Sequence, residues 1–299
     1  MATRDLPIVG DSFNVGFRFQ RYWDTSMANA FFCGELGAGL CLASLILGWV
    51  PGVLIGVLIT GVLKTYFHVT HMGVPMKSWR AIMRPDRSWI SRGLMGIVFY
   101  AGFGVAYWLY MTFDLGASLG LPAFTGTLLK VLTGLAALVV MTYQGFAMSH
   151  STAISLWSNG LIPVSSFVYA ASGGTFLLMA LTWNGFLAED LARRGILVNV
   201  ALGMLVLIAA VLISLLHSAH HGSPGARKSV EILTRTFYAK WFWGVLVGVG
   251  LVFPALLLLV AQSHYAVILA AASVLVGFYT FRVLIFKAGV FEPIMSFRP

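Results

Sequence analysis

Residues 196–217 read ILVNVALGMLVLIAAVLISLLH, a stretch without Asp, Glu, Lys or Arg. A transmembrane helix needs about 20 apolar residues to cross the hydrocarbon core of a bilayer. A helix that is apolar on every side has no face for water, so it lies in lipid or in the centre of a large core. This stretch therefore predicts a membrane-spanning helix.

Similar apolar runs occur on both sides of this stretch and extend the prediction to the whole chain. With Ile196–His217 there are eight, the others being Met27–Leu47, Pro51–Met72, Gly93–Phe113, Thr127–Met148, Pro163–Gly185, Phe242–Ala261 and Tyr265–Lys287. We therefore expect an all-α polytopic membrane protein, a bundle of about eight transmembrane helices over residues 27–287. Residues 1–26 would form a leader on the membrane surface, and residues 288–299 a tail.

The composition supports a lipid-facing exterior. Of 299 residues, 59% are apolar and 10% are charged, with a mean hydropathy of +0.88. A soluble domain carries about 25% charged residues, so this chain has too few to cover a surface that faces water. The net charge of +9 therefore bears on membrane topology and does not indicate a nucleic-acid partner. Cys33 and Cys41 both lie in the first run and predict neither a metal cluster nor a disulfide framework.

The basic residues predict the orientation of the chain. Of the 19, only Arg193 and Arg194 fall on the side opposite the N-terminus, and Lys64, Lys130 and Arg282 fall in or at the ends of spans. The other 14 lie on the N-terminal side: Arg4, Arg18, Arg21, Lys77, Arg80, Arg84, Arg87, Arg92, Arg227, Lys228, Arg235, Lys240, Lys287 and Arg298. Because cytoplasmic loops carry the excess of Lys and Arg, we expect both termini in the cytoplasm of a bacterium, with the protein in its inner membrane.

Ionisable residues within the spans are the strongest functional signal. Lys64, His68 and His71 are spaced to share one face of the second helix, and Lys64 lies roughly 10 Å deeper than His71. Glu35 lies at a similar depth on the first helix, so we expect Glu35 and Lys64 to pair. Such residues usually face the bundle interior and mark a function, although a structural ion pair or a snorkelling lysine is an equal alternative. They predict a polar pocket for a proton-exchanging ligand that enters from the lipid.

Other chemistries have weaker support in the sequence. The histidines lie near the ends of spans and not at mid-bilayer depth on facing helices, so we expect no b-type haem. The string His217-Ser218-Ala219-His220-His221 is a single histidine cluster without carboxylates, too few ligands for a metal centre. Transporters place polar groups near the midplane, whereas here they are closer to the N-terminal side, which argues against a secondary transporter.

The segment after the second helix resembles a known family. The stretches HMGVPMKSWRAI (71–82) and SWISR (88–92) are similar to a block in the membrane anchor subunits of dimethyl sulfoxide reductase-type molybdoenzymes, within the wider polysulfide reductase (NrfD-like) superfamily. Tyr143, the stretch WSNGLIPVSSF (157–167) and Gly37-Ala38-Gly39 resemble further parts of the family pattern. Without this resemblance, the basic segment would be equally compatible with membrane anchoring and with docking of an acidic partner.

The resemblance implies a subunit that exchanges ubiquinone or menaquinone. A molybdenum catalytic subunit would pass electrons through an iron–sulfur subunit to this chain, and only those partners would hold the molybdenum cofactor and the clusters. The family histidine at the quinone site corresponds to His71, and our candidate quinone-binding residues are His71, Lys64, Glu35, His68, Tyr143 and Arg80. Our candidate docking residues for the partner are Lys77, Trp79, Arg84, Arg87, Trp89 and Arg92. The family's acidic residue is replaced by Gly93, so we expect Glu35 to carry the proton instead.

The orientation narrows the choice within the family. In dimethyl sulfoxide reductase-like members the partner-binding end faces the periplasm, but here that end carries the basic loops and should face the cytoplasm. This favours the sulfite-oxidising, quinone-reducing relatives, with a phenylacetyl-CoA-oxidising complex as a close alternative. A quinol-oxidising complex that reduces dimethyl sulfoxide or polysulfide, or a transporter, would be further alternatives.

Overall fold

A computed structural model of the chain describes residues 17–292, and its main elements are eight long helices. The helices are α1 (Thr25–Leu47), α2 (Val50–His71), α3 (Trp89–Thr112), α4 (Phe124–Ser149), α5 (Leu161–Thr182), α6 (Leu191–His220), α7 (Lys240–Val260) and α8 (His264–Lys287). Each is long and apolar enough to span a bilayer, so the predicted all-α bundle of eight spans is confirmed. The predicted leader before residue 17 and the tail after residue 292, including Arg4 and Arg298, lie outside the described residues.

Side-chain caps set the starts of several helices. Asp24 accepts hydrogen bonds from the amides of Ser26 and Met27, at 2.9 and 3.3 Å, and so begins α1. Ser88 and Asp190 cap α3 and α6 in the same way. Such a side chain replaces one of the hydrogen bonds that the first turn of a helix lacks. These capping residues therefore begin the three helices two to five residues before the predicted apolar runs.

Helix α1 lies at the centre of the bundle, where it packs against α2, α4, α5 and α8. Its close contact with α5 depends on glycine: a Cβ atom at Gly39 would overlap the backbone carbonyl of Ala170, and one at Gly174 would overlap Gly39. Membrane helices often associate through small residues, because lipid gives no hydrophobic drive between two apolar surfaces. This contact explains Gly39 in the first span, whereas Gly37 allows α2 to approach, because a Cβ atom there would overlap the carbonyl of Gly56.

We call the end of the bundle where α1 begins the proximal end. There Arg18–Phe19 (β1) pairs antiparallel with Val290–Phe291 (β2), just after α8. The Gln20 side chain donates to the carbonyl of Phe286 at 2.9 Å, which joins the leader to α8. Therefore the described part of the leader packs on the proximal end of the bundle.

Candidate functional site

Lys64 lies inside the helix bundle. Its side chain is 2% exposed, and its Nζ donates a hydrogen bond to Oε1 of Gln144 on α4, at 3.2 Å. The same Nζ lies 5.3 Å from the centre of the Tyr143 ring, a cation–π distance. Lys64 therefore points inward at bilayer depth and does not snorkel to the interface.

Two backbone features allow Lys64 to reach α4. The side chain crosses α1 at Gly34, where an added Cβ atom would lie only 2.7 Å from Cδ of Lys64. Within α2, the segment Ile59–Lys64 is a π-helix, and Thr60 Oγ1 in it donates to the carbonyl of Gly34 at 3.2 Å. Short π segments occur frequently at functional sites. The glycine gives the lysine room, and the hydrogen bond fixes α1 to α2 beside it.

Glu35 has a different partner from the one that we predicted. Its Oε2 lies 2.7 Å from Nη2 of Arg282 on α8, and both side chains are 0% exposed. The predicted pair with Lys64 is therefore wrong. Lys64 crosses α1 at position 34, and the next residue of a helix points about 100° away. The turn of α1 directs Glu35 toward α8.

Arg282 is the functional candidate that sequence reasoning missed. Its Nη2 also donates to Oγ of Ser166 on α5, at 3.1 Å. The sequence did contain a signal for this residue. Arg282 lies five residues before the end of the eighth span, roughly 7.5 Å into the bilayer. A charged residue at that depth is itself a functional hypothesis.

These residues form one group, which we call the polar cluster: Glu35, Lys64, Gln144, Ser166 and Arg282. All are nearly or fully buried, and all lie in the proximal half of the bundle. With every group ionised, the cluster carries one carboxylate and two cations, a formal charge of +1. A fixed positive charge in a low-dielectric site stabilises negative charge that develops on a bound oxygen atom.

His71 and His68 lie between the polar cluster and the proximal surface. The Nδ1 of His71 is 3.2 Å from Oδ1 of Asp24, and its side chain is 26% exposed. His68 is partly buried one turn closer to Lys64. His71 is therefore partly exposed at the proximal end and is held by the residue that caps α1.

Tyr143 is buried beside Lys64 and explains a departure from the family pattern. Its ring fills the space next to Gly93, where an added Cβ atom would overlap the ring carbons. A carboxylate at position 93 would be incompatible with this ring position. The carboxylate that the structure places in the polar cluster is Glu35 on α1.

The predicted docking residues divide into two sets. Lys77, Trp79, Arg84 and Arg87 are exposed at the proximal end. The other two, Trp89 and Arg92, are engaged within the chain: Trp89 stacks on Phe146 with ring centres 4.3 Å apart, and Arg92 donates to the carbonyls of Pro85 and Asp86, at 2.7 and 3.0 Å.

Arg80 is also exposed, and its guanidinium lies 5.6 Å from the Trp79 ring. Its position associates it with the exposed docking residues more than with the polar cluster.

A shallow cleft lined by Phe186, Glu189 and Leu191 lies at the opposite end of the bundle and has no bearing on the polar cluster.

Comparison with known proteins identifies a matching protein family. The family model described as polysulphide reductase, NrfD, matches residues 15–293. A search of curated proteins found no match to the chain. The family match covers all eight helices and the whole polar cluster.

Proposed function

This chain belongs to the polysulphide reductase (NrfD) family, and we propose that it is the quinone-reactive electron-transfer subunit of a molybdenum and iron–sulfur oxidoreductase. Members of the family are membrane anchors of such complexes, pair with iron–sulfur and molybdenum catalytic subunits, and interact with quinones. The observation that carries the proposal is the polar cluster, since three ionisable side chains at bilayer depth are costly without a function.

The side chains of the cluster fit a quinone head group. A quinone bound there would provide a redox couple of two electrons and two protons. Its carbonyl oxygens need hydrogen-bond donors, and Lys64 has three N–H groups, of which the structure gives one to Gln144. The ammonium group stabilises negative charge on such an oxygen, and Tyr143 closes the site beside it.

Protons and electrons would come from the proximal side. His71 is partly exposed at the proximal end and lies against the Asp24 carboxylate, so it is placed to pass protons inward. Glu35 is the carboxylate at depth that can deliver them. The exposed Lys77, Trp79 and Arg84 offer a basic, aromatic surface to an acidic iron–sulfur partner.

We assign the catalytic subunits to the cytoplasmic face and sulfite as their electron donor. Support comes from the 14 basic residues on the N-terminal side against two on the other, which predict a cytoplasmic proximal end in the bacterial inner membrane. Among the relatives that the sequence resembles, the sulfite-oxidising complexes have this orientation. Either ubiquinone or menaquinone satisfies the donor set of the cluster.

The test is purification of the complex through a tag on this chain. We expect two soluble subunits to copurify, one with molybdenum and one with iron–sulfur clusters, and sulfite to reduce a quinone analogue. A soluble dye that takes electrons from the partner subunits serves as the control, because it bypasses this chain. A chain that purifies alone, or a complex that reduces the dye but never a quinone, would contradict the proposal.

A further inference from the structure

The ion pair of Glu35 and Arg282 leaves hydrogen-bonding atoms without partners. Both side chains are fully buried between α1, α5 and α8. Arg282 has five N–H groups, and its Nη2 contacts Glu35 and Ser166. Among the described residues, Nε and Nη1 of Arg282 and Oε1 of Glu35 make no hydrogen bond within the chain.

Two buried hydroxyl groups on α5 likewise have no hydrogen-bond partner among the described residues. The hydroxyls of Tyr169 and Ser172 are buried and lack a hydrogen bond within residues 17–292. Tyr169 belongs to the same neighbourhood as Arg282, because both lie against the Phe281 ring: the Tyr169 ring stacks on it at 4.3 Å, and the guanidinium carbon lies 5.2 Å away. Ser172 follows three residues after Tyr169, about one turn deeper on α5.

So many unpaired atoms around one ion pair indicate a ligand. A buried polar atom without a partner costs about 1–3 kcal/mol, and more when it is charged, so native proteins rarely keep several of them together. Buried water typically makes about three hydrogen bonds to groups of this kind. We infer that ordered water molecules are bound between α1, α5 and α8, held by Arg282, Glu35 and Tyr169.

This water is separated from the proximal solution by an aromatic cap, which consists of Trp23, Phe31, Trp157 and Phe286. Their ring centres lie 5.1–5.7 Å apart in five contacts. The Trp157 indole donates to the carbonyl of Ile285 on α8 at 2.9 Å, which fixes the cap over the last turn of that helix. The bound water is therefore a buried component of the bundle.

The water site gives Glu35 a means to change its protonation state. A water molecule donates to an ionised carboxylate and accepts from a protonated one, so it satisfies both forms without movement of the helices. Arg282 alone favours only the ionised form. This consequence rests on the proposed function, since it matters when Glu35 passes protons to a bound quinone.

The water itself is tested by X-ray radiolytic footprinting of the full complex in ¹⁸O-labelled water, read by mass spectrometry. Bound water makes hydroxyl radicals in place, so a buried side chain beside it becomes oxidised. Tyr169 and Phe281, each 3% exposed, should incorporate ¹⁸O. Tyr100 is the matched control, because it is fully buried on α3 and its hydroxyl donates to the carbonyl of Gly37 at 3.1 Å.

Two variants identify what holds the water. The double variant Glu35→Met, Arg282→Met removes both charges together, and Tyr169 labelling should fall to the level of Tyr100. Glu35→Gln keeps the hydrogen-bonding shape and should keep the labelling. Equal inertness of Tyr169 and Tyr100 in the unmodified complex, or full labelling in the double variant, would overturn the inference. The readout needs no quinone, so it can succeed or fail independently of the proposed function.

Discussion

Replacing Gly34 by Ala tests whether the position of Lys64 matters to quinone chemistry. The added methyl group would lie 2.7 Å from Cδ and 3.0 Å from Cε of Lys64, and 3.3 Å from Nε2 of Gln144. The lysine stem must move, and its hydrogen bond to Gln144 is expected to break. Alanine is also a better helix former than glycine, so α1 should not lose intrinsic helix stability.

The size of the effect follows from the hydrogen bond that is lost. A hydrogen bond to a charged group contributes about 1.5–3 kcal/mol, which corresponds to a roughly ten- to hundredfold change in an equilibrium constant. If the Lys64 ammonium contacts the quinone from its present position, its displacement should weaken quinone binding by a similar factor. The KM for a quinone analogue should rise, while reduction of the soluble dye by sulfite stays unchanged.

The matched control is Gly203→Ala on α6, where an added Cβ atom meets nothing within 4 Å. This variant should behave like the unmodified complex in both assays. If Gly34→Ala behaves like Gly203→Ala, the placement of Lys64 has no role in quinone binding. Equal loss of the quinone and dye activities would instead show that the substitution disturbs assembly.

Four further expectations address the rest of the molecule. His71→Ala should preserve assembly and dye activity but strongly reduce quinone turnover, whereas an equal loss of both activities would make the histidine structural. Arg282→Met should destabilise the complex by about 3–5 kcal/mol in thermal unfolding, because Glu35 is left as an unpaired buried charge, and adding Glu35→Met should recover most of that loss. Reporter fusions after Arg84 and at the C-terminus should behave as cytoplasmic and one near Ser118 as periplasmic, and the reverse pattern would contradict the orientation. The purified chain should show no b-type α-band in a reduced-minus-oxidised spectrum, and a band abolished by a histidine substitution would refute this.

The fold was largely predictable because its main signal is local. A span of apolar residues defines a transmembrane helix without reference to any other part of the chain. The predicted run Gly93–Phe113 started four residues late, since α3 begins at Trp89. The cap that starts it, Ser88, belongs to a polar segment that hydropathy does not include. Membership of the wider polysulphide reductase (NrfD) family was likewise readable from residues 71–92, and the family match confirms it at that level.

The site was less predictable because its contacts join distant helices. Depth along a helix can be counted, so the placement of Glu35 and Lys64 at bilayer depth was a sound inference. The direction in which each side chain points depends on how α1 is rotated and which helices surround it. Glu35 and Arg282 are separated by most of the chain, and only the packing of α8 against α1 brings them together.

Glu35, Lys64 and Arg282 are placed so that stabilisation of a ligand and proton transfer fall to different residues. The predicted pair of Glu35 and Lys64 would have combined these two tasks. If Glu35 were paired with Lys64, the charges of these two side chains would cancel. The lysine would then have little positive charge to stabilise a ligand. Because Arg282 pairs with Glu35 instead, the hydrogen bond that Lys64 donates goes to the neutral Gln144, and the Tyr143 ring lies beside the ammonium group. An ammonium group in this position stabilises negative charge on a ligand oxygen, while the carboxylate and its bound water remain beside it for proton transfer. Exchange of Arg282 for a neutral residue should therefore reduce quinone binding as well as stability, because Glu35 would then compete for Lys64.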